Sequence, residues 1–243
     1  GEDPYLYPNV DWFSTLFNNF GHNRTANANI HGGSDKATYY IGLGYYDETG
    51  LYKMSKTHDY NANTYYTRYN VTSNVTLLPT RTTEIKLGIQ GYMAHANYPA
   101  TGSETIFGKA FYMTPNYVAP VYPDGKIGDR PSSGVDNPYA LLNETGYANQ
   151  WRSQIFSNLR LTQDLPFIIK GLSVTGMFSF DAYSYTSNRF TRTPDTYIAT
   201  GRDKNGNLIY TQTYTGTQTL SYSNNSEGNR SIYLEAALNY KRQ

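Results

Sequence analysis

The sequence has no cysteine, only four histidines and no long apolar run, and each shortage narrows the choice of protein class. A lack of cysteine suits a protein of an oxidising compartment, where accidental disulfides would form. The longest apolar runs, such as residues 165–169, fall far below the roughly 18 residues that a membrane-spanning helix needs. These short runs and the chain's mean hydropathy of −0.63 together exclude a helical membrane protein. A net charge of +1 indicates neither a nucleic acid nor an anionic membrane surface as partner.

Tyrosine is abundant instead, with 26 residues, whereas Leu, Ile and Val are sparse and Thr, Asn, Ser and Gly fill much of the remainder. A chain of 243 residues is long enough for one all-β unit. A β-barrel in a membrane is compatible with the low hydropathy, because only alternate residues face lipid and the lumen is polar.

Residues 38–46 show the clearest pattern, a strict alternation of two kinds of side chain. Successive side chains of a strand point to opposite faces, so one face carries Tyr39, Ile41, Leu43 and Tyr45. Its order is aromatic, aliphatic, aliphatic, aromatic. A strand that crosses a bilayer has this order, because amphipathic rings lie at the two headgroup levels and aliphatic groups lie between them.

Six other segments alternate in the same way, and we predict seven strands in an antiparallel up-and-down meander. The predicted strands are residues 23–31, 38–46, 69–77, 84–93, 151–161, 172–185 and 231–240. We also predict a short helix at residues 12–18, capped by Asp11, and a second at residues 105–113. The alternation predicts a lipid-facing set: Tyr39, Ile41, Leu43, Tyr45, Val71, Val75, Leu87, Ile89, Leu234 and Leu238.

The predicted connections alternate short and long, which is the second strong signal. Short turns are expected at residues 32–36, 78–83 and 164–171, and long polar loops at residues 47–67, 94–150 and 186–229. Turns are expected within the loops at Asp124-Gly125, at Asn137-Pro138 and at residues 203–207. Bacterial outer-membrane barrels have tight periplasmic turns and long extracellular loops. The three long loops are therefore predicted to be extracellular.

Three segments together resemble one family. YPNVDW at residues 7–12, the block from His22 to Tyr52 that contains HGGSDKATYYIGLGYYDETGLY, and RYNVTSNV at residues 68–75 are similar to the SusC/RagA family of TonB-dependent outer-membrane transporters. The likeness is specific over residues 7–77 and looser as far as Gln243.

The resemblance implies a section of a large barrel of about 22 strands. Residues 1–20 would lead into the barrel, residues 21–243 would form about seven of its strands, and the plug domain and TonB box would lie outside this chain. Family members import glycans or peptides with a SusD-like surface lipoprotein, and TonB acts on their N-terminal part. The resemblance thus implies an oligosaccharide or peptide substrate and contact with outer-membrane lipid. Gly1 and the end at NYKRQ lead us to expect a piece of a longer protein.

No catalytic or metal site is predicted, and the chain is not expected to be an enzyme or to bind a cofactor. Asp47 and Glu48 are adjacent and would point to opposite faces of a strand, and the predicted place for them is the solvated start of a loop. The histidines, His22, His31, His58 and His95, lack the spacing of metal ligands. Residues 203–207 resemble a calcium loop only faintly, and a hairpin tip is the better interpretation.

Aromatic side chains are the candidate substrate contacts, because they offer apolar area with a polar tip. Tyr40, Tyr46, Tyr92 and Tyr233 are predicted on the polar faces of strands. The candidates for stacking against a substrate lie in the longest predicted loop: Tyr98, Phe111, Tyr112, Tyr117 and Tyr122. Loop packing is the alternative role for these rings.

The alternative for the whole chain is a secreted β-sandwich that binds carbohydrate, and a glycoside hydrolase is disfavoured because no carboxylates converge. An isolated barrel section would expose two sheet edges and a lipid face, so it is expected to self-associate.

Overall fold

The computed structural model describes residues 3–55, 60–217 and 219–241. Its strands are β1 (His22–Ser34), β2 (Ala37–Thr49), β3 (Tyr65–Thr80), β4 (Thr83–Pro99), β5 (Ile127–Gly128), β6 (Gly146–Asp164), β7 (Leu172–Thr191), β8 (Thr196–Arg202), β9 (Leu208–Tyr214) and β10 (Ser221–Tyr240). Its helices are α1 (Trp12–Leu16), α2 (Ser103–Tyr112) and α3 (Pro138–Asn143).

The seven long strands form one antiparallel sheet in the order β1-β2-β3-β4-β6-β7-β10. Each long strand therefore pairs with the long strands that precede and follow it along the chain, which confirms the predicted all-β meander. The short connections, residues 35–36, 81–82 and 165–171, lie at one edge, which we call the turn end. The long connections, residues 50–64, 100–145 and 192–220, lie at the opposite edge, the loop end.

The predicted strand centres are correct, but most of the strands are longer than predicted. β1 and β2 pair as far as Ser34 and Ala37, so the first turn contains two residues and not the five predicted. The largest extensions are at the loop end, where β4 continues to Pro99 and β10 begins at Ser221. Asp47 and Glu48 consequently lie within β2, and their placement at the start of a loop is wrong.

The long connections and the segment before β1 form what we call the loop cap, which contains the three helices and a small sheet in the order β5-β8-β9. Its buried apolar cluster draws one or more residues from each helix and two loops: Trp12, Leu16, Tyr52, Ile106, Ala110, Val118, Leu141 and Leu142. Trp12 also donates a hydrogen bond from Nε1 to the Thr114 carbonyl oxygen, at 3.1 Å. The buried apolar core thus lies in the loop cap and not on the long sheet.

Local sequence explains the loop-cap elements. Asp11 caps α1 by accepting a hydrogen bond from the Ser14 amide at 3.0 Å, as predicted. The turn at Asp124-Gly125 is also confirmed, with Gly125 at a φ of +82°. Residues 203–207 form the predicted hairpin tip between β8 and β9, with Gly206 at +84°.

Two loop-cap predictions are wrong. Asn137-Pro138 does not begin a turn but starts α3: the Asn137 side chain accepts hydrogen bonds from the Tyr139 and Ala140 amides, and Pro138 is the first helical residue. The described residues also form three short helices, where one or two were predicted.

Candidate functional site on the two faces of the sheet

The pairing register sorts the side chains of the long sheet into two faces. On one face, Leu43 aligns with Val71 on β3. The row that contains Tyr39 on the same face continues through Val75, Leu87, Leu159, Phe178 and Leu234. We call this side the apolar face. The opposite side, the polar face, aligns Tyr40 with Asn74, Gly88, Asn158, Ser179 and Tyr233.

All ten residues of the predicted lipid-facing set lie on the apolar face, and none of them is buried. Leu43 is 56% exposed and Leu234 is 75% exposed. A folded soluble chain rarely leaves so large a continuous apolar surface open, so the exposure indicates a partner phase or molecule that is not part of this chain.

The apolar band runs obliquely across the hydrogen-bonded rows. On β2 its first residue at the loop end is Tyr45, which the register aligns with Gly228 on β10. Apart from Tyr222, which lies ten residues nearer the loop end, the first apolar residue on that face of β10 is Ile232, four residues beyond Gly228. The edge of the band is therefore displaced by four residues of about 3.3 Å across five strand spacings of about 4.8 Å. This displacement corresponds to an angle of roughly 30° between the edge of the band and the hydrogen-bonded rows. Strands of membrane barrels tilt by about 35–45°, which produces such a drift.

The polar face carries a group of rings and guanidinium groups near the loop end. We call it the tyrosine–arginine patch: Tyr46, Tyr66, Arg68, Tyr92, Tyr98, Arg152 and Tyr185. The Arg68 guanidinium lies 4.1 Å from the Tyr92 ring centroid, and the Arg152 guanidinium lies 5.0 Å from that of Tyr185. Arg68 Nε also donates to Asn70 Oδ1 at 2.8 Å. The two arginine–tyrosine contacts are cation–π pairs that hold each guanidinium against a ring.

Two small side chains lie within the patch, and both are buried by their neighbours. Ala94 lies between Arg68 and Arg152 in one row, and Ala96 lies in the next row towards the loop end. Tyr98 follows on the same face and lies within electrostatic reach of Arg152. The arrangement offers ring faces and positive charge side by side, which suits a substrate with apolar or ring surface and a carboxylate.

The five candidate stacking residues have different surroundings. Tyr98 belongs to β4 and the tyrosine–arginine patch, and not to a loop as predicted. Phe111 and Tyr112 end α2 and are 66% and 83% exposed. Tyr122 is only 3% exposed and accepts a hydrogen bond from the Ala199 amide, so its ring has no free face for a ligand. The alternative of loop packing fits Tyr122, and it also fits Tyr117.

Tyr117 packs against the buried apolar cluster, with the Arg130 guanidinium 5.0 Å from its ring centroid. Burial and the neighbouring charges of Asp129 and Asp136 raise the pKa of Tyr117 to about 12. Asp129 is itself buried and accepts hydrogen bonds from three backbone amides, those of residues 130, 136 and 137. Burial raises the pKa of Asp129, although those three hydrogen bonds counteract the rise.

A pH dependence follows for Tyr117. A raised pKa in the folded state means that the neutral phenol stabilises the loop cap fully below the ordinary value of 10, and that this stabilisation is lost as the pH rises through about 12. We expect the tyrosinate absorbance of the unchanged protein, minus that of Tyr117→Phe, to titrate with a midpoint near pH 12. A midpoint near pH 10 would show that the ring is solvated and that the loop cap does not pack as described.

The residues considered for catalysis or metal binding do not form a site. Asp47 accepts a hydrogen bond from Thr67 Oγ1 at 3.1 Å, and Glu48 accepts one from the Tyr46 hydroxyl on the other face. Within the described chain, no three His, Cys, Asp or Glu side chains come together as a metal site requires. His58 lies outside the described residues. No helix within residues 3–55, 60–217 and 219–241 is both long and apolar enough to cross a membrane.

Sequence reasoning missed both arginines of the patch and placed its tyrosines only in part. The sequence does contain the information that places Arg68. Arg68 and Asn70 are two residues apart on β3, so their side chains point to the same face, the polar one. What the sequence lacked was the register across β3, β4, β6 and β7, which brings Arg68 and Arg152 into one row.

Comparison with known proteins matches this geometry at the level of fold. A solved structure described as the RagAB peptide importer in the 'closed-closed' state aligns with 96% of this chain at a TM-score of 0.53 and 14% identity. The chain shares the fold of a section of that importer. It spans 32% of the importer chain's length. No family model and no curated protein matches the chain.

Two related structures align with lower TM-scores. The RagAB peptide transporter gives 0.35 at 13% identity, over 96% of this chain and 32% of that one. The 'open-open' state of the importer gives 0.38 at 14% identity, over 95% of this chain and 31% of that one.

Proposed function

We propose that this chain forms part of the barrel wall and of the extracellular loops of a TonB-dependent outer-membrane importer. Residues 21–243 form the wall section and its loops, and residues 1–20 lead into it. The plug, the TonB box and the remaining strands belong to the rest of that protein. The apolar face contacts membrane lipid, and the long loops are extracellular.

The oblique, exposed apolar band is the observation that carries this proposal. A second layer of a soluble β-sandwich would cover the apolar face, whereas Leu43 and Leu234 are left open by every described residue. Lipid explains both the exposure and the drift of the band, because the band stays level in a bilayer only when the strands are tilted. The ring pair Tyr45–Tyr69, at 5.4 Å between centroids, lies at the band's margin towards the loops, where barrels carry aromatic residues.

The loop cap supports an extracellular role. A buried cluster around Leu142 and an ion pair between Arg192 and Glu144, at 2.5 Å, make it a preformed surface. Phe111 and Tyr112 are exposed on it and suit contact with a substrate or with a SusD-like lipoprotein lid. The fold shared with a peptide importer supports the same assignment.

The tyrosine–arginine patch is the proposed substrate contact on the lumen side of the wall. Its rings stack on apolar groups or sugar rings, and Arg68 and Arg152 bind carboxylates. The proposed substrates are therefore peptides or oligosaccharides, and anionic members of either class bind most strongly. The chain itself supplies binding surface and not catalysis.

Replacement of both arginines tests this role. In the intact transporter, Arg68→Ala with Arg152→Ala is expected to weaken binding of anionic peptides or oligosaccharides about tenfold, because two charge-assisted contacts are lost. Uncharged substrates are expected to lose less than about threefold. Calorimetric titration with matched charged and uncharged compounds measures the difference.

Arg24→Ala is the matched control, because Arg24 lies on the apolar face at the loop end of β1. It is expected to bind both classes as the unchanged protein does. Equal losses for charged and uncharged substrates, or an equal loss in the control, would contradict the proposed contact.

A further inference from the structure

A second set of aromatic residues lies on the same side of the sheet as Leu43, beyond the apolar band towards the loops. Six residues line a groove of about 680 Å³ there, and we call it the asparagine groove: His95, Asn149, Trp151, Asn188, Phe190 and Tyr222. The register places all six on the apolar-face side of β4, β6, β7 and β10. None of them belongs to the tyrosine–arginine patch.

Two walls of aromatic rings in contact bound the groove. Trp151 stacks on His95 with 3.9 Å between centroids and 15° between planes. On the other side, a ladder runs from Tyr147 to Phe190 at 4.9 Å and from Phe190 to Tyr222 at 5.1 Å. Trp151 is 49% exposed and keeps an open ring surface, and Tyr222 is 60% exposed on β10, the edge strand of this sheet.

Amide groups lie between the walls. Asn188 Oδ1 accepts hydrogen bonds from the Tyr222 hydroxyl at 2.8 Å and from Asn224 Nδ2 at 2.9 Å. These bonds orient the Asn188 amide and assign its Nδ2 group as the donor side. The side chains that line the groove include no Asp, Glu, Lys or Arg. Ring faces beside uncharged amides match a neutral pyranose, which presents C–H groups on its faces and hydroxyl groups at its edges.

Height above the apolar band identifies the source of that sugar. Trp151 lies four residues beyond Ile155 on β6, and Tyr222 lies ten residues beyond Ile232 on β10. At about 3.3 Å per residue on tilted strands, these offsets place Trp151 about 10 Å and Tyr222 roughly 25 Å above the band, and His95, two residues beyond Met93 on β4, lies about 5 Å above it. Polar headgroups extend only about 5–8 Å beyond the hydrocarbon. On the outside of a barrel, the molecules that reach this height from the bilayer are the oligosaccharides of glycolipids.

We propose that the asparagine groove binds a neutral sugar of a glycolipid oligosaccharide in the surrounding outer leaflet. This inference rests on the proposed function, since it needs the apolar face to be turned towards lipid. The asparagine groove would then be a saccharide site on the lipid side of the barrel wall, whereas the proposed substrate contact, the tyrosine–arginine patch, lies on the opposite face.

The test uses the intact transporter extracted from its membrane, with lipopolysaccharide that carries a complete core oligosaccharide as the probe. Trp151→Ala and Tyr222→Ala are each expected to retain about tenfold less of this glycolipid on native mass spectrometry, equivalent to about 1.4 kcal/mol. Trp151→Phe keeps an aromatic platform and is expected to restore most of the retention. Tyr233→Ala, on the polar face, is the control and is expected to retain as much as the unchanged protein.

Three outcomes would overturn the inference. Equal retention in all variants would show that the groove holds no glycolipid. Equal retention of lipopolysaccharide truncated before its neutral core sugars would assign the binding to lipid and phosphate. Binding of the released oligosaccharide as tight as that of the whole glycolipid would make the groove a site for free saccharide. Membrane insertion of each variant is measured first, by protease protection. If the unchanged protein does not insert, the proposed function is overturned together with this inference. If it inserts but glycolipid retention does not depend on Trp151 and Tyr222, only the proposed groove site is overturned.

Discussion

Leu43→Arg is expected to block or strongly reduce membrane insertion of the intact protein. Leu43 is 56% exposed in the middle of the apolar band, with Ala28 and Val71 beside it on the neighbouring strands. An arginine on the lipid face near the bilayer midplane costs about 2–4 kcal/mol. Heat-modifiable mobility on gels and protease protection in vesicles measure the inserted fraction.

Gly42→Arg is the control from the polar face, one residue away. A side chain at this glycine would begin 3.0 Å from the Tyr40 hydroxyl, the far end of a flexible side chain that can move aside. Thr72→Arg lies in the same row on β3 and tests the polar face without replacing a glycine. Both controls are expected to insert normally. Insertion defects as large as that of Leu43→Arg would contradict the assignment of the faces.

Leu142→Ala is expected to loosen the loop cap and leave insertion unchanged. Leu142 has no exposed surface and packs in the cluster with Trp12 and Leu16. Truncation of a buried leucine costs about 2–5 kcal/mol, since the cavity closes only in part. The hydrogen bonds between the long strands do not involve this cluster, so we expect the loss to fall on the loops. Protease nicking between residues 100 and 145 and hydrogen exchange in α1 and α3 measure it.

Leu51→Ala makes the same chemical change at a loop-cap position that is 46% exposed. Its expected cost is within about 0.5 kcal/mol, as for most surface substitutions. Similar nicking in the two variants would show that the cluster around Leu142 does not hold the loops together. A loss of insertion in Leu142→Ala would show that the loop cap and the wall fold as one unit.

Alternation of side chains predicted the strands well only where one face is apolar. On β10, residues 231–240 alternate and were predicted, whereas residues 221–230 are polar on both faces and were assigned to a loop. Under the proposed function the physical reason is height: above the apolar band neither face would contact hydrocarbon, so the strand carries no alternation of apolar and polar residues. β4 and β7 extend beyond their predicted ends for the same reason.

The loop cap was much less predictable. Its buried cluster joins α1, α2 and α3, of which α1 and α3 lie more than 100 residues apart in the sequence, and no local pattern reports such contacts. Asn137 illustrates the local difficulty, because the same Asn-Pro pair starts a turn or caps a helix. Tyr122 was a candidate contact because it lies in a long loop, yet the surrounding segments bury its ring.

Lipid contact on alternate residues of β10 tests the central claim most directly. The chain has no cysteine, so single cysteines can be introduced one at a time at positions 228 to 240. Each variant then carries one spin label within this sequence. In membrane-embedded protein, we predict oxygen accessibility that alternates with a period of two from Ile232 to Leu238, maximal at even positions, and no such alternation above Arg230. On β2 the alternation is predicted to start at Tyr45. Because Tyr45 lies in a different hydrogen-bonded row from Ile232, this difference in starting row would show that the strands are tilted. Uniform water accessibility on both faces of β10 would contradict lipid contact of the apolar face. An alternating zone that starts in the same hydrogen-bonded row on β2 and β10 would contradict the tilt.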